Sequence, residues 1–243
     1  MKSFFSRIYL FLLLTAAVIT GIFLEQSGLI RYISDPYEFR YITGLLLQHI
    51  RLVAISMTFA TTVGIIVGVI FTRKTFKKYS FIIMYIVGLG QTIPTLAILA
   101  LSLIILGVGE RPAILALVIC SILPIARNTL AGINSISPGI IDSACGSGLS
   151  PMRVLFEIEL PNASEIIING FRISLIINIS TAALGALIGA GGLGELIFGG
   201  ISLMQTEKIL AGAIPTAMLA LLGDFICRLS HSFIVPKGIK IKS

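Results

Sequence analysis

The chain has 243 residues, 56% of them hydrophobic and 12% charged, with a mean hydropathy of +1.02 and a formal net charge of +7. That composition excludes an ordinary soluble domain and describes a polytopic membrane protein: a bilayer core about 30 Å thick takes roughly 17–25 apolar residues per helix, so this length holds about six spans. The positive charge comes without basic–aromatic interleaving or a nucleic-acid motif, so nucleic acid is excluded as a partner and the bilayer is the expected one.

Six apolar stretches qualify as spans, at 8–24, 52–72, 81–106, 113–133, 166–190 and 209–226. The expected fold is all-α, with an N-terminal helix and outer loop over 1–43, a transmembrane domain over 44–235 and a basic tail over 236–243. The basic residues set the orientation. With the N-terminus inside, Lys2, Arg7, Arg73, Lys74, Lys77, Lys78, Arg153, Arg228, Lys237, Lys240 and Lys242 are cytoplasmic, as are both termini, while Arg31, Arg40, Arg111 and Lys208 lie outside. The first span has the basic flank and apolar core of a signal peptide, but no small-x-small cleavage site follows it near Glu25, and the inside start is needed by the other spans.

After the first span, residues 25–43 read as a short outer loop with Gly28 and Pro36 as turn markers. Gln48, His49 and Arg51 read as an interfacial helix end at the start of the second span. Within that span Gly64-x-x-x-Gly68 gives a small-residue face that permits close helix contact. The third span is broken by Gly90-Gln91-Thr92-Ile93-Pro94, where proline removes a backbone donor and disfavours helix at the preceding residue. Such backbone survives at membrane depth only against protein or a water-filled cavity. Two readings stay open: Gln91, Thr92 and Pro94 line a translocation path, or the kink is packed against a neighbouring helix.

Between the fourth and fifth spans lies the most particular segment, 137–163. Ser137-Pro138 and Ser150-Pro151 are each a capping residue followed by proline at the first helical position, predicting two short helices. Gly146 to Gly148 form the break and Pro161 limits the second helix. Met152, Leu155 and Phe156 share a face beside an Arg153/Glu157 pair at i,i+4. An amphipathic helix with an apolar knob suits docking into a partner's groove, and equally suits a hairpin lying on the bilayer.

Among the polar residues inside spans, Asn178 is a further path candidate. Asp224 and Arg228, one turn apart, are expected to pair structurally, and Arg127 and Arg172 to snorkel at the cytoplasmic interface. Gly189-Ala190-Gly191-Gly192-Leu193-Gly194 has the spelling of a dinucleotide loop, but it follows a membrane helix with no strand, so it is read as a helix end where another element comes close. There is no Gly-x-x-x-x-Gly-Lys-Ser/Thr, so no P-loop. Cys120, Cys145 and Cys227 are isolated and the two histidines solitary, so neither metal nor cofactor is expected, and no nucleophile–base constellation marks an enzyme.

The spacing of Asp142, Ala144, Gly148, Ile158, Leu160 and Pro161 resembles the cytoplasmic signature loop of ABC importer permeases, Glu-Ala-Ala-x3-Gly-x9-Ile-x-Leu-Pro, with Asp142-Ser143 in place of Glu-Ala. Gly90-Gln91-Thr92-Ile93-Pro94-Thr95-Leu96-Ala97, Leu123-Pro124-Ile125-Ala126-Arg127-Asn128-Thr129, the stretch 184–198 and the stretch 209–224 resemble the osmoprotectant branch, which handles glycine betaine, carnitine, choline and proline betaine. The methionine permeases share the loop and the glycine block but match less well elsewhere.

The resemblance implies a MetI-like permease fold working by alternating access. It implies two permeases, as a homodimer or with a paralogue, above two ATP-binding subunits and below a separate extracytoplasmic binding protein, in a bacterial inner membrane. The ATPase-coupling residues it implies are Asp142, Ser143, Ala144, Gly148, Met152, Ile158, Leu160 and Pro161. A permease for another small solute such as an amino acid, or an ATP-independent secondary carrier, are the alternative readings; a proton-driven carrier would want several acids at membrane depth, and Asp224 stands alone there.

Overall fold

A computed structural model describes residues 24–73, 75–79 and 93–234, with isolated positions 15, 21, 22, 82 and 85. The predicted first span, Gln91 and Thr92, and the basic tail lie wholly or almost wholly outside the described residues.

Every regular element among the described residues is helical. A short helix α1 (Leu29–Ser34) leads into α2 (Pro36–Ile70), followed by a 3-10 turn at Lys77–Tyr79. Then come α3 (Thr95–Leu106), α4 (Glu110–Asn134) and α5 (Pro138–Gly146). After a turn of helix at Pro151–Arg153 and a wide π turn at Val154–Glu159, the chain continues as α6 (Leu160–Ala182), a 3-10 stretch at Ala183–Ile188, α7 (Gly194–Leu203) and α8 (Thr206–Ile234). Among the described residues, four helical stretches have the length and apolarity to cross a membrane: Pro36–Thr72, Glu110–Asn134, Pro151–Ile188 and Thr206–Ser230.

All four begin earlier than the hydropathy pattern predicts, Pro36–Thr72 and Pro151–Ile188 by the widest margins, and for the first the reason is local chemistry. The 25–43 segment is largely helical rather than loop. Gly28 turns the chain at φ 74°, and Asp35 then caps α2, its Oδ1 accepting the Tyr37 and Glu38 amides at 2.8 and 3.3 Å with Pro36 at the first helical position. Polar residues at the start of α2 hid a helix whose cap was in plain view. Gln48, His49 and Arg51 are therefore mid-helix, not a helix end. Pro94 is exposed and holds the cap position before Thr95, and most of the predicted third span ahead of it lies outside the described residues.

Helix α4 lies at the centre, packed against α2 on one side and α6 on another, with α3 against it and α8 against α6 and α7. Lipid tails are as apolar as leucine, so close backbone approach and interhelical hydrogen bonds hold such a bundle together. Both are present. A Cβ on Gly64 would sit 2.8 Å from Ile125 Cβ, and one on Gly68 2.5 Å from Thr129 Cβ and 2.9 Å from the Ala126 carbonyl, so the Gly64/Gly68 face is where α2 meets α4. Gly170 does the same for α6 against Pro124 and Asn128. Three helices are then tied by one polar network: Ser56 Oγ donates to Asn178 Oδ1 at 3.0 Å, Asn178 Nδ2 to Ser121 Oγ at 2.7 Å, and Ser174 Oγ to the Ser121 carbonyl at 2.6 Å. Large apolar side chains such as Phe59, Ile66, Leu101, Leu221 and Phe225 face outward, as a lipid solvent allows.

Gly68→Val is expected to destabilise the protein by about 1–3 kcal/mol, the usual cost of overpacking. Thermal unfolding in detergent, compared with Gly44→Val, where an added Cβ meets nothing within 4 Å, checks this. Equal midpoints for the two variants would mean that α2 and α4 are not in close contact.

Candidate functional site

The signature loop is a helical hairpin, and its spacing has a backbone explanation. Helix α5 ends with Ser147 as cap and Gly148 in the left-handed region at φ 79°. The Gly148 amide donates to the Cys145 carbonyl at 3.0 Å and the Leu149 amide to the Ala144 carbonyl at 3.3 Å. These two bonds make a Schellman motif, with glycine just past the helix end and its companion carbonyl four residues back. Ala144 and Gly148 are thus the two ends of one helix stop, and Ala144 is the buried residue of α5.

The second half of the hairpin differs from its prediction. Ser137 and Ser150 hold the cap positions with proline following, but neither hydroxyl caps an amide. Pro161 does not limit a short helix; the helix runs on through it into α6. Proline inside an α-helix clashes with the carbonyl four residues back, and the π turn at Val154–Glu159 provides the local widening that lets the helix continue. Just past the proline, Asn162 Nδ2 donates back to the Ile158 carbonyl at 2.7 Å. Ile158, Leu160 and Pro161 therefore sit where the hairpin becomes a membrane helix.

Asp142 and Ser143 are exposed on α5, and Met152 and Phe156 project with 62% and 60% of their surface free. Beside them Arg153 makes a two-pronged pair with Glu157, at 2.8 and 3.3 Å. The exposed, ordered apolar pair is what a groove on a partner takes up.

Sequence reasoning missed how the hairpin is anchored. Glu159, at the end of the π turn, is buried and paired with Arg73 just past the end of α2. Arg73 is itself held by the Val69 carbonyl at 3.3 Å and Thr72 Oγ1 at 2.9 Å, a cation placed where the carbonyl end of a helix favours one. A cavity of about 570 Å³, lined among others by Arg73, Asn134, Asp142, Cys145 and Glu159, separates the rest of the hairpin from the helix ends. A lone acid beside Leu160 and a lone base in a positive-inside cluster carried no signal that they would meet.

Of the other predicted residues, Asn178 is 1% exposed and its amide is taken up by the serine network. Asp224 meets Arg228 at 2.8 Å as the one-turn spacing predicts, but it also pairs with Arg172, which is thereby part of a partly exposed triad across α6 and α8 instead of snorkelling alone. The glycine block is a turn, with Gly189, Gly191 and Gly192 all at positive φ. Gln48 Oε1 accepts the Gly192 amide at 3.1 Å, and a Cβ on Gly191 would overlap the Gln48 side chain. His49, buried next to it, bonds the Ile179 carbonyl through Nε2 at 3.0 Å. Gln48 thus locks α2 to this turn, and His49, packed beside Gly192, ties α2 to α6.

The family described as binding-protein-dependent transport system inner membrane component matches residues 60–237, which contains the hairpin, the glycine turn and the Ser121, Ser174 and Asn178 members of the serine network. The chain belongs to that family. It is 44% identical over 177 residues to the osmoprotectant import permease protein OsmY of Salmonella typhimurium, covering 73% of this chain and 75% of that one. It is 38% identical over 203 residues to the glycine betaine/carnitine/choline transport system permease protein OpuCB of Bacillus subtilis, covering 84% and 91%. A solved structure of the MetNI methionine ABC transporter aligns with TM-score 0.72 at 23% identity, over 83% of this chain and 99% of that one, which shows the fold. This permease is therefore a multi-pass inner membrane transport component of the MetI-like fold, not an enzyme.

Proposed function

We propose that this permease subunit translocates a quaternary-amine osmoprotectant such as glycine betaine, carnitine or choline, driven by ATP hydrolysed on separate subunits. The observation that carries the reading is the similarity to osmoprotectant, choline and carnitine permeases over about three quarters or more of the chain, at 37–44% identity. The hairpin supports the mechanism. ATP closes the nucleotide-binding subunits on the exposed Met152/Phe156 knob, the stroke passes through Ala144, Gly148 and the 158–161 segment into α6, and two permeases rock between outward and inward openings. A second permease copy or a paralogue completes the pathway, a separate binding protein delivers the solute, and both termini are cytoplasmic. Gln91, Thr92, Pro94 and Asn178 remain the residues proposed for the path.

Reconstituted with its ATPase and binding protein, the permease is expected to take up labelled glycine betaine only with ATP and the binding protein together. Uptake independent of ATP, or retention of an amino acid in its place, would overturn the reading.

A further inference from the structure

At the end of the bundle opposite the hairpin lies a second concavity that nothing in the mechanism uses. Helix α2 is about 52 Å long at 1.5 Å per residue, and while its last turn reaches Arg73 and the hairpin, its first turns carry Tyr37, Glu38 and Tyr41. Those three residues, with Tyr32 of α1, Glu195 of α7 and Lys208 of α8, line a cavity of about 250 Å³. That is roughly eight waters' worth of liquid volume and below the usual range for drug-sized ligands, a size for a small solute.

Its chemistry is particular. Three tyrosines and two glutamates line one open concavity with a single lysine, Tyr37 at its exposed rim with 78% of its surface free. Tyr41 Oη donates to Glu195 Oε2 at 3.0 Å, which ties α2 to α7 across the pocket and fixes one ring beside one acid. Burial, and then the Glu38 carboxylate beside it, hold the Tyr32 phenol well above the ordinary tyrosine value, so the ring stays neutral. A membrane-interface belt also uses tyrosine, but belt rings face lipid with the hydroxyl toward headgroups and call for no acids. Here the hydroxyl of Tyr41 is already taken by a carboxylate from another helix. Ring faces attract a cation through their quadrupole, best when the cation is large and weakly hydrated, and carboxylates add charge without demanding N–H donors. The lining holds only two carboxylates, and no cluster of three or more His, Cys, Asp or Glu that could hold a metal ion is found among the described residues.

We propose that the Tyr32, Tyr37, Glu38, Tyr41, Glu195 pocket binds a quaternary ammonium group, with Lys208 placed to take the carboxylate of a zwitterion such as glycine betaine. The choice of probe rests on the osmoprotectant reading; the ammonium chemistry rests on the pocket. The solute then touches the permease at a site of its own on the side opposite the ATPase hairpin.

The chain has six tyrosines and no tryptophan, so tyrosine emission of the purified full-length protein reports on a pocket holding three of them. In a detergent free of choline headgroups, titration with choline or glycine betaine is expected to give a saturable change, and 3,3-dimethylbutan-1-ol, the neutral isostere of choline, none. Tyr41→Leu with Glu195→Gln should weaken choline binding by about tenfold, the scale of one or two cation–aromatic contacts. Tyr41→Phe, which keeps the ring, should retain most of it, and Lys208→Gln should weaken glycine betaine while sparing choline. Loss of the response in phosphatidylcholine nanodiscs, with retention in phosphatidylglycerol ones, would support the same chemistry with a lipid headgroup as its source. No saturable response, an equal response to the neutral isostere, or choline binding unchanged in the double variant overturns the proposal. Binding needs no ATPase: binding without ATP-driven uptake would sink the importer reading and leave the pocket standing, and uptake without binding would do the reverse.

Discussion

Gly148→Val should leave the protein in the membrane and lower ATP-driven uptake by at least about tenfold, since a side chain in left-handed backbone costs roughly 1–2 kcal/mol and a β-branched one more. The structure makes this a clean experiment. A Cβ added at Gly148 meets nothing within 4 Å, so no neighbour is displaced and the penalty is one of backbone alone. What is lost is the Schellman stop: the Gly148 and Leu149 amides leave the Cys145 and Ala144 carbonyls, and α5 no longer reverses at the right residue. The Met152/Phe156 knob then meets the ATPase at the wrong angle.

A graded series tests the cause. Asparagine tolerates left-handed backbone and should retain most uptake, alanine should lose part, and valine nearly all. Uptake per reconstituted protein, with co-purification of the ATPase as the docking readout, checks the order. Wild-type uptake in the valine variant, or asparagine as defective as valine, would falsify the assignment of Gly148 to the helix stop.

The fold was legible where the membrane writes it plainly and illegible where polar contacts decide. Apolar runs located the central helices, and the small-residue pair Gly64/Gly68 pointed to a close helix contact because only glycine fits there. Hydropathy misplaced the start of α2, since its first turns are amphipathic and a proline follows a capping aspartate; the capping signal was local and stronger. Pro161 misled in the opposite direction: a proline stops an α-helix but not one widened by a π turn, and no sequence pattern announces that turn. The glycine block was read as a helix end where another element comes close; the close approach is there, yet its partners, Gln48 and His49, lie more than 140 residues earlier, and pairing across that separation leaves no trace in one sequence. The same holds for Arg172, Asp224 and the Arg73–Glu159 anchor.

That anchor is where stability and coupling can be separated. Arg73→Ala leaves a carboxylate only 10% exposed without its partner, and is expected to cost about 2 kcal/mol. That lies below the 3–5 kcal/mol of a fully buried pair, because Arg73 is itself 35% exposed and partly screened. It should also reduce uptake severalfold, since the hairpin loses its only described ion pair to α2. Replacing both charges by apolar residues of similar size, Arg73→Met with Glu159→Leu, removes the uncompensated carboxylate and should restore most of the lost stability. If the pair merely stabilises the bundle, uptake returns with the unfolding midpoint. If it is a strut that makes α2 and the core follow the hairpin, uptake stays low in a protein as stable as the parent. The second outcome is expected, because Arg73 is locked to Val69 and Thr72 at the end of α2, so a push on Glu159 is delivered straight into the helix that packs on α4. Unfolding midpoints and reconstituted uptake, measured on the parent, Arg73→Ala and the double variant, decide between them.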